Sequence, residues 1–290
     1  MLIERGLTML QIKTLDDLKF YIKEVKSQGK TIGFVPTMGY LHEGHVSLMK
    51  RAREENDVVI ASVYVNPTQF GPHEDYDAYP RDIKRDSLLM ASVGVDACFF
   101  PDNDMMYPGG FQTYIETQGN LVKRLCGAKR QGHFKGVTTI VGKLFNLVKP
   151  ERAYFGQKDA QQVSVIRRMV TDLNFDVEIV PCPIVREEDG LAMSSRNKYL
   201  KGEARKQALI LKQALDRAQS LIESGVRSSD KLEKAMLSVL LQATKARIDY
   251  IEIVDFNTLE TMAELKGTVL IALAVFIDET RLIDNVTVEV

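Results

Sequence analysis

This chain is poor in cysteine, in histidine, in excess charge and in long apolar runs, and each scarcity excludes something. Its 290 residues carry 38 Lys and Arg against 39 Asp and Glu, a net charge of -1. That balance excludes a broad basic face for nucleic acid or an anionic membrane surface, so cations that meet phosphate must be local and few. The three cysteines, Cys98, Cys126 and Cys182, are odd in number and lack CxxC spacing. They form neither a disulfide frame nor a zinc site, and read as reduced thiols of a cytoplasmic protein. No run of about 18 apolar residues exists, so no membrane span is expected. The opening "MLIERGLTML" places Glu4 and Arg5 inside its short apolar stretch and has no cleavage pattern, unlike a signal peptide. Either Met1 or Met9 serves as the start. Low-complexity segments and internal repeats are also missing.

What is present is an alternation. "TIGFVPT" (31–37), "DVVIASVYVN" (57–66), "DACFFPD" (96–102), "RAYFG" (152–156) and "FDVEIVPCPIVRE" (175–187) read as strands. Helical spacing fills the intervals, at 45–56, 82–94, 136–150 and 159–173. Strands alternating with helices of this length imply βαβ crossovers and a parallel sheet flanked by helices, with ligands beyond the carboxyl ends of the strands. After about residue 186 the pattern changes to two long helices, 203–225 and 229–246, then three strands at 249–256, 268–277 and 282–290. The expected class is α/β with a smaller C-terminal α+β domain. The predicted division is 1–186 and 187–290, with the polar stretch 186–204 as hinge.

Two of the four histidines sit three residues apart in "PTMGYLHEGH", where the first strand of this reading turns into a helix. Positive charge is unfavourable at a helix N-terminus, whereas a phosphate is welcome there because free N–H groups and the dipole favour an anion. His42 and His45, at i and i+3, share one face of that first turn. They are either capping or surface histidines, or donors to phosphoryl oxygens, with Gly44 leaving room for a nucleotide. "GVTTIVGKL" fails as a P-loop, since Gly136 and Gly142 are one residue too far apart and Leu144 stands where Ser or Thr would meet Mg²⁺. No GxGxxG follows the strand.

HxGH after a strand is similar to the signature of the nucleotidyltransferase superfamily, which includes class I aminoacyl-tRNA synthetases. "AMSSRN" (192–197) resembles their second, polyphosphate-binding signature. Three more stretches, "VNPTQF" (65–70), "RQGHFKGVTT" (130–139) and "FGQKDAQQ" (155–162), narrow the resemblance to the pantoate–β-alanine ligase family, over nearly the whole chain.

The resemblance implies a Rossmann-like domain that binds nucleotide and pantoate, a small C-terminal domain with the Ser-Ser-Arg loop at the hinge, and a homodimer. It implies ATP-dependent condensation of (R)-pantoate with β-alanine through a bound pantoyl adenylate, with Mg²⁺ accompanying ATP. Residue by residue, Met38, Gly39, Tyr40, Leu41, His42, Glu43, Gly44 and His45 match an ATP-binding stretch, with His45 as proton donor and His42 beside it. Gln69 matches a contact to pantoate and β-alanine, and Gln162 a second pantoate contact. Gly156, Gln157, Lys158 and Asp159 match an ATP-binding loop, with Gln157 where glutamate is frequent. Val185 matches a backbone contact to adenine, and Met193, Ser194, Ser195 and Arg196 the polyphosphate loop. Protein ligands to the metal are left unassigned, because the acidic pair common near Asp86 is here Arg85 and Asp86.

The residue chemistry agrees with that reaction. Glutamine amides orient a carboxylate with neutral hydrogen bonds, where an Arg clamp would bind the ground state too firmly. Lys158 is a mobile cation for phosphate charge. Asp159 contacts ribose hydroxyls, orients the loop or caps the following helix. His133 either caps or packs, and Lys135 faces phosphate. The rival readings are an adenylyl transferase with a phosphorylated acceptor, a synthetase remnant that acts on tRNA, and a nucleotide-binding regulator without turnover. The near-neutral charge argues against tRNA.

Overall fold

A computed structural model describes residues 9–72 and 74–290. Along the chain run β1 (Leu10–Ile12), α1 (Leu15–Ser27), β2 (Ile32–Thr37), α2 (Glu43–Glu55), β3 (Val58–Val63), α3 (Ile83–Ser92), β4 (Ala97–Phe99) and α4 (Asn103–Met106). There follow α5 (Asn120–Lys123), α6 (Leu125–Lys129), α7 (His133–Val148), β5 (Arg152–Gly156), α8 (Ala160–Asp172) and β6 (Glu178–Cys182). The last elements are α9 (Gly202–Gln207), α10 (Ile210–Glu223), α11 (Ser229–Leu240), β7 (Ala246–Asp255), β8 (Thr268–Ile277) and β9 (Thr280–Glu289). Short 3₁₀ turns lie at Pro67–Gln69, Gln157–Asp159 and Ser195–Tyr199.

The chain forms two compact units. One contains the described residues up to Thr117, with Arg130–Gln157 and Val165–Pro183; the other contains Gln118–Lys129, Lys158–Ser164 and Ile184–Val290. The sequence pattern divides the chain once, at 186/187, whereas these units are threaded, and two short early segments group with the C-terminal one.

The first unit holds a six-stranded sheet in the order β1-β4-β3-β2-β5-β6, parallel throughout. Its order reverses at β2, which pairs with β3 on one side and β5 on the other, so the switch-point crevice lies at the carboxyl ends of β2 and β5. Val35, Met49, Val59, Ala61, Met90 and Tyr154 pack in one core cluster of this unit. The buried Tyr154 hydroxyl is satisfied by Asn56 Nδ2 at 2.7 Å and Glu55 Oε2 at 2.8 Å. The strand before HxGH is thus β2 and not the first strand. β1 is a three-residue edge strand, too short to show a period.

The second unit holds an antiparallel sheet, β7-β8-β9. Leu211, Leu215, Leu232, Met236, Val269, Ile271, Leu273 and Leu282 make one core, and Leu125, Ala160, Val254, Leu270 and Ala272 another. Because side chains alternate across a strand, odd and even positions of β8 serve different cores. The helix expected over 203–225 is two helices, α9 and α10, broken at Ala208 and Leu209. The strand expected over 175–187 is shorter, because Pro183 follows Cys182. No helix among the described residues is long and apolar enough to cross a membrane.

Candidate active site

The carboxyl end of β2 runs into a turn whose backbone is fixed by a buried acid. Tyr40 N–H donates to Asp86 Oδ2 at 2.7 Å and Leu41 N–H to Asp86 Oδ1 at 2.8 Å. Asp86 is fully buried, and burial pushes its carboxyl above the ordinary aspartate value, with the two backbone N–H bonds opposing. Both oxygens are committed to the turn, so this acid holds backbone and is unsuited to ligate a metal. Arg85 lies over the Tyr40 ring, 5.3 Å from its centroid, and 3.6 Å from Asp86 Oδ1. Tyr40 adopts φ 51° and Gly39 φ 84°, both left-handed. A Cβ at Gly39 would stand 2.9 Å from Val63 Cγ1, so glycine is required there on two counts.

This turn delivers the two histidines. His42 is the N-cap of α2, and its Nδ1 accepts from Gly44 N–H at 3.1 Å. His45 Nδ1 accepts from His42 N–H at 3.3 Å, and the two rings lie 4.1 Å apart. An Nδ1 that accepts carries no proton, so each neutral ring bears its proton on Nε2. The two readings of the pair are therefore compatible: Nδ1 caps the helix, which leaves Nε2 as the protonated nitrogen of each neutral ring. Neutral rings also remove the conflict with the helix dipole. Met38, Glu43 and Gly44 complete this stretch, with Glu43 exposed.

Gln69 sits at the end of the Pro67–Gln69 turn beyond β3 and is 8% exposed. Its Oε1 accepts from Asn66 Nδ2 at 3.1 Å, and its Nε2 lies 3.0 Å from Met38 Sδ. Asn66 also donates to Gly136 O at 3.1 Å, and its Oδ1 accepts from Tyr107 Oη at 2.7 Å. Helix α7 presses on this turn so closely that a Cβ at Gly136 would be 2.4 Å from Thr68 O. His133 Nδ1 lies 2.8 Å from Gln69 O and its Nε2 lies 2.9 Å from Arg130 Nη1. A carbonyl needs a donor and a guanidinium an acceptor, which assigns the proton to Nδ1, the opposite tautomer to that of His42 and His45. Arg130 in turn grips Glu74 through Nε at 2.7 Å and Nη2 at 2.6 Å. Burial alone raises the Glu74 carboxyl, but these bonds outweigh it and hold the group below its ordinary range. His133 thus neither caps nor merely packs, and Lys135 pairs with Glu116 at 3.6 Å beside the Tyr114 ring. Gly156 and Gln157, also of this unit, lie at and just beyond the end of β5, and a Cβ at Gly156 would meet nothing within 4 Å.

The other sequence-predicted residues belong to the second unit. Lys158 is half-buried and Asp159 exposed, both in the 3₁₀ turn before α8. Of the adjacent glutamines, Gln161 is consumed by structure: its Nε2 donates to Leu121 O and Arg124 O, each at 2.8 Å. Gln162 is the half-buried neighbour on the next helical position. Val185 and Met193 meet, with Met193 N–H donating to Val185 O at 3.0 Å across a hairpin closed by an Arg186–Ala192 bridge. Ser194 caps the turn that follows, its Oγ accepting from Arg196 N–H at 3.2 Å, and Ser195 is 9% exposed. So two stretches matched separately from sequence form one local structure. Glu74, Asn66, Asp86, Arg130 and Gln161 had no assigned role in the sequence. Asn66, Arg130 and Gln161 lie inside quoted motifs and Asp86 stands out only for the acidic pair it fails to complete, whereas Glu74 carries no local signal.

A family model described as pantoate-beta-alanine ligase matches residues 10–287. The chain belongs to the pantoate–β-alanine ligase family. It is 56% identical over 282 residues to the pantothenate synthetase of Caldicellulosiruptor saccharolyticus, covering 97% of this chain and 100% of that one. The crystal structure of pantothenate synthetase from Thermus thermophilus superposes with TM-score 0.92 at 46% identity, over 96% of this chain and 99% of that one. The pantoate–β-alanine ligase from Francisella tularensis, complexed with β-γ ATP and β-alanine, superposes with TM-score 0.78 at 35% identity, over 96% and 97%. Membership of the pantoate–β-alanine ligase family makes the chain an enzyme that joins pantoate to β-alanine, with ATP as a substrate.

Proposed function

We propose that the residues described above carry out this ligation in two steps, with (R)-pantoate activated as a bound adenylate. In the first step a pantoate carboxylate oxygen attacks the α-phosphorus of ATP and pyrophosphate departs. In the second the β-alanine amine attacks the acyl carbon and AMP leaves, giving pantothenate. Activation is needed because oxide is a poor leaving group and a phosphate ester is a good one, so one hard step becomes two easier ones. The observation that carries this reading is the pair of backbone N–H bonds accepted by Nδ1 of His42 and His45. Each Nδ1 accepts from a backbone N–H at the helix N-terminus, so each neutral ring carries its proton on Nε2, the form suited to donate to phosphoryl oxygens as charge moves onto pyrophosphate. His45 serves as the proton donor.

Gln69, with its amide clamped by Asn66 and Met38, orients pantoate and then β-alanine, and Gln162 supplies a second pantoate contact. Lys158 and the Ser194–Arg196 loop meet the polyphosphate, Val185 offers its backbone to adenine, and Asp159 meets ribose. Residues 1–186 carry the nucleotide and pantoate functions, and 187–290 the loop. Mg²⁺ enters as the counter-ion of ATP. Among the described residues no group of three or more His, Cys, Asp or Glu is arranged to hold a metal, and Asp86 is committed to backbone. The enzyme works as a cytoplasmic homodimer with reduced thiols; Cys98, Cys126 and Cys182 are all free and buried.

The test is an assay for AMP with ATP, pantoate and β-alanine, each omitted in turn. AMP should form in turnover quantities only with all three. AMP without either small acid, or transfer to a phosphorylated acceptor without AMP release, would favour the rival activities.

A further inference from the structure

Strand β9 carries two buried polar residues in succession, Asp284 at 2% exposure and Asn285 at 4%. They are adjacent buried residues of a strand whose other polar residues, Thr280, Arg281, Thr287 and Glu289, are partly or fully exposed. Burying a carboxylate and an amide is unfavourable unless both are fully paired, and an apolar pair of similar volume is often at least as stable. What each one holds gives a reason for their presence.

Successive strand residues point to opposite faces. Asp284 is in register with Leu273, a member of the core that includes the α10 and α11 residues. Asn285 is in register with Ala272, which shares the other core with Ala160. On the first face, Asp284 takes Arg186 in a bidentate pair, Oδ2 at 2.7 Å from Nη1 and Oδ1 at 2.9 Å from Nη2. Arg186 Nη1 also donates to Gly190 O at 3.1 Å, across the 185–193 hairpin it belongs to. Asp284 therefore grips the hairpin from which Met193 to Arg196 emerge. On the second face, Asn285 Nδ2 donates to Lys158 O at 2.9 Å. The pair is itself joined, since Asn285 N–H donates to Asp284 Oδ1 at 2.8 Å.

We propose that Asp284 and Asn285 are positioning residues, one dipeptide that keeps Lys158 and the Ser194–Arg196 loop in fixed register from the two faces of one sheet. This rests on the reading that Lys158 acts on the phosphates of ATP. The reason for such a device is geometric. Lys158 has a flexible four-carbon stem, and a displacement of about 1 Å at a reacting centre is enough to lose about two orders of magnitude in rate. Anchoring the backbone carbonyl of Lys158 limits where its ammonium can reach.

The experiment is a double-variant cycle on the full chain, read as the single-turnover rate of pyrophosphate release with ATP and pantoate. Asn285→Ala should slow this step by about 10- to 100-fold while ATP affinity changes less than about threefold. In a Lys158→Ala background the same substitution should add less than about twofold, because it acts through the ammonium already removed. Asn285→Leu, of similar volume and without a donor, should behave alike and covers the case in which the alanine variant fails to fold. Multiplicative losses in the double variant would assign Asn285 a merely structural role and overturn the inference. So would unimpaired Asn285 variants beside a deeply impaired Lys158→Ala, which leaves the reading of Lys158 intact. A Lys158→Ala rate within about threefold of wild type would remove that reading and the inference with it.

Discussion

The two units hold their site residues by different means. In the first, the side chains of His42, His45 and Gln69 are held by near neighbours, while Asp86 and His133 fix the backbone around them from further along the chain. His42 and His45 are fixed by N–H groups within three residues, and Gln69 by Asn66 three residues away and Met38 one strand away. In the second, positioning is remote: Lys158 and the hairpin at Arg186 are held by Asn285 and Asp284, 127 and 98 residues further along. Local positioning writes a motif, because the residue and its support occupy adjacent letters. Remote positioning leaves only an oddity elsewhere, here two adjacent buried polar residues in a strand that is otherwise largely accessible.

The contrast can be broken most sharply at His45, where one ring caps the helix and is proposed to donate as well. His45→Ala should lower turnover by about 10²- to 10⁴-fold, the range for a positioned proton donor or oxyanion partner. His45→Asn, whose Oδ1 can replace Nδ1 as the cap, should recover thermal stability and leave the activity lost. Steady-state kinetics and melting curves together check this, and recovery of activity by Asn would reduce His45 to a cap. In the second unit Lys158→Ala should slow adenylate formation by about 10²-fold and weaken ATP binding much less, since its charge matters most as pyrophosphate departs. Equal losses in binding and rate would mean uniform binding instead.

A smaller effect is expected at Gln69, whose neutral hydrogen bonds are each worth about 1 kcal/mol. Gln69→Ala should raise the pantoate KM by about 30-fold and leave the ATP KM unchanged, since two such bonds account for roughly that factor. An unaltered pantoate dependence would break the assignment. The smallest effect concerns Glu74. Its folded pKa lies below the ordinary value, so its pairing with Arg130 adds stability above the unfolded pKa of about 4.3 and loses it as pH falls through the folded value. Glu74→Gln should therefore melt below wild type at about pH 7, and the gap should close as pH falls through the lowered folded value and the wild-type carboxyl becomes neutral. A gap that stays constant with pH would show that charge at Glu74 is immaterial.

Much of the fold is legible in the sequence because long periodic segments dominate it. β2, β3, β5, α2, α7 and α8 fall where strand and helix patterns predict them. β1 gives no signal because three residues at a sheet edge carry no period, and the break between α9 and α10 gives none because Ala208 and Leu209 keep near-helical dihedrals. In the site, HxGH and the glutamine-bearing stretches can be read because their chemistry is compressed into a few residues. The tautomers of His42, His45 and His133 cannot, since they depend on which group each nitrogen meets. Asp86 draws attention near a metal from its charge alone, and only the fold reveals that Tyr40 and Leu41 N–H groups occupy it.

The adenylate sequence is the claim on which every role assigned above depends, and isotope exchange tests it most directly. Labelled pyrophosphate should exchange into ATP when pantoate is present and β-alanine absent. Oxygen-18 placed in the pantoate carboxylate should appear in AMP after full turnover, because that oxygen leaves with the phosphate. Exchange without pantoate would indicate an adenylylated enzyme, and AMP free of label would contradict attack of pantoate on the α-phosphorus.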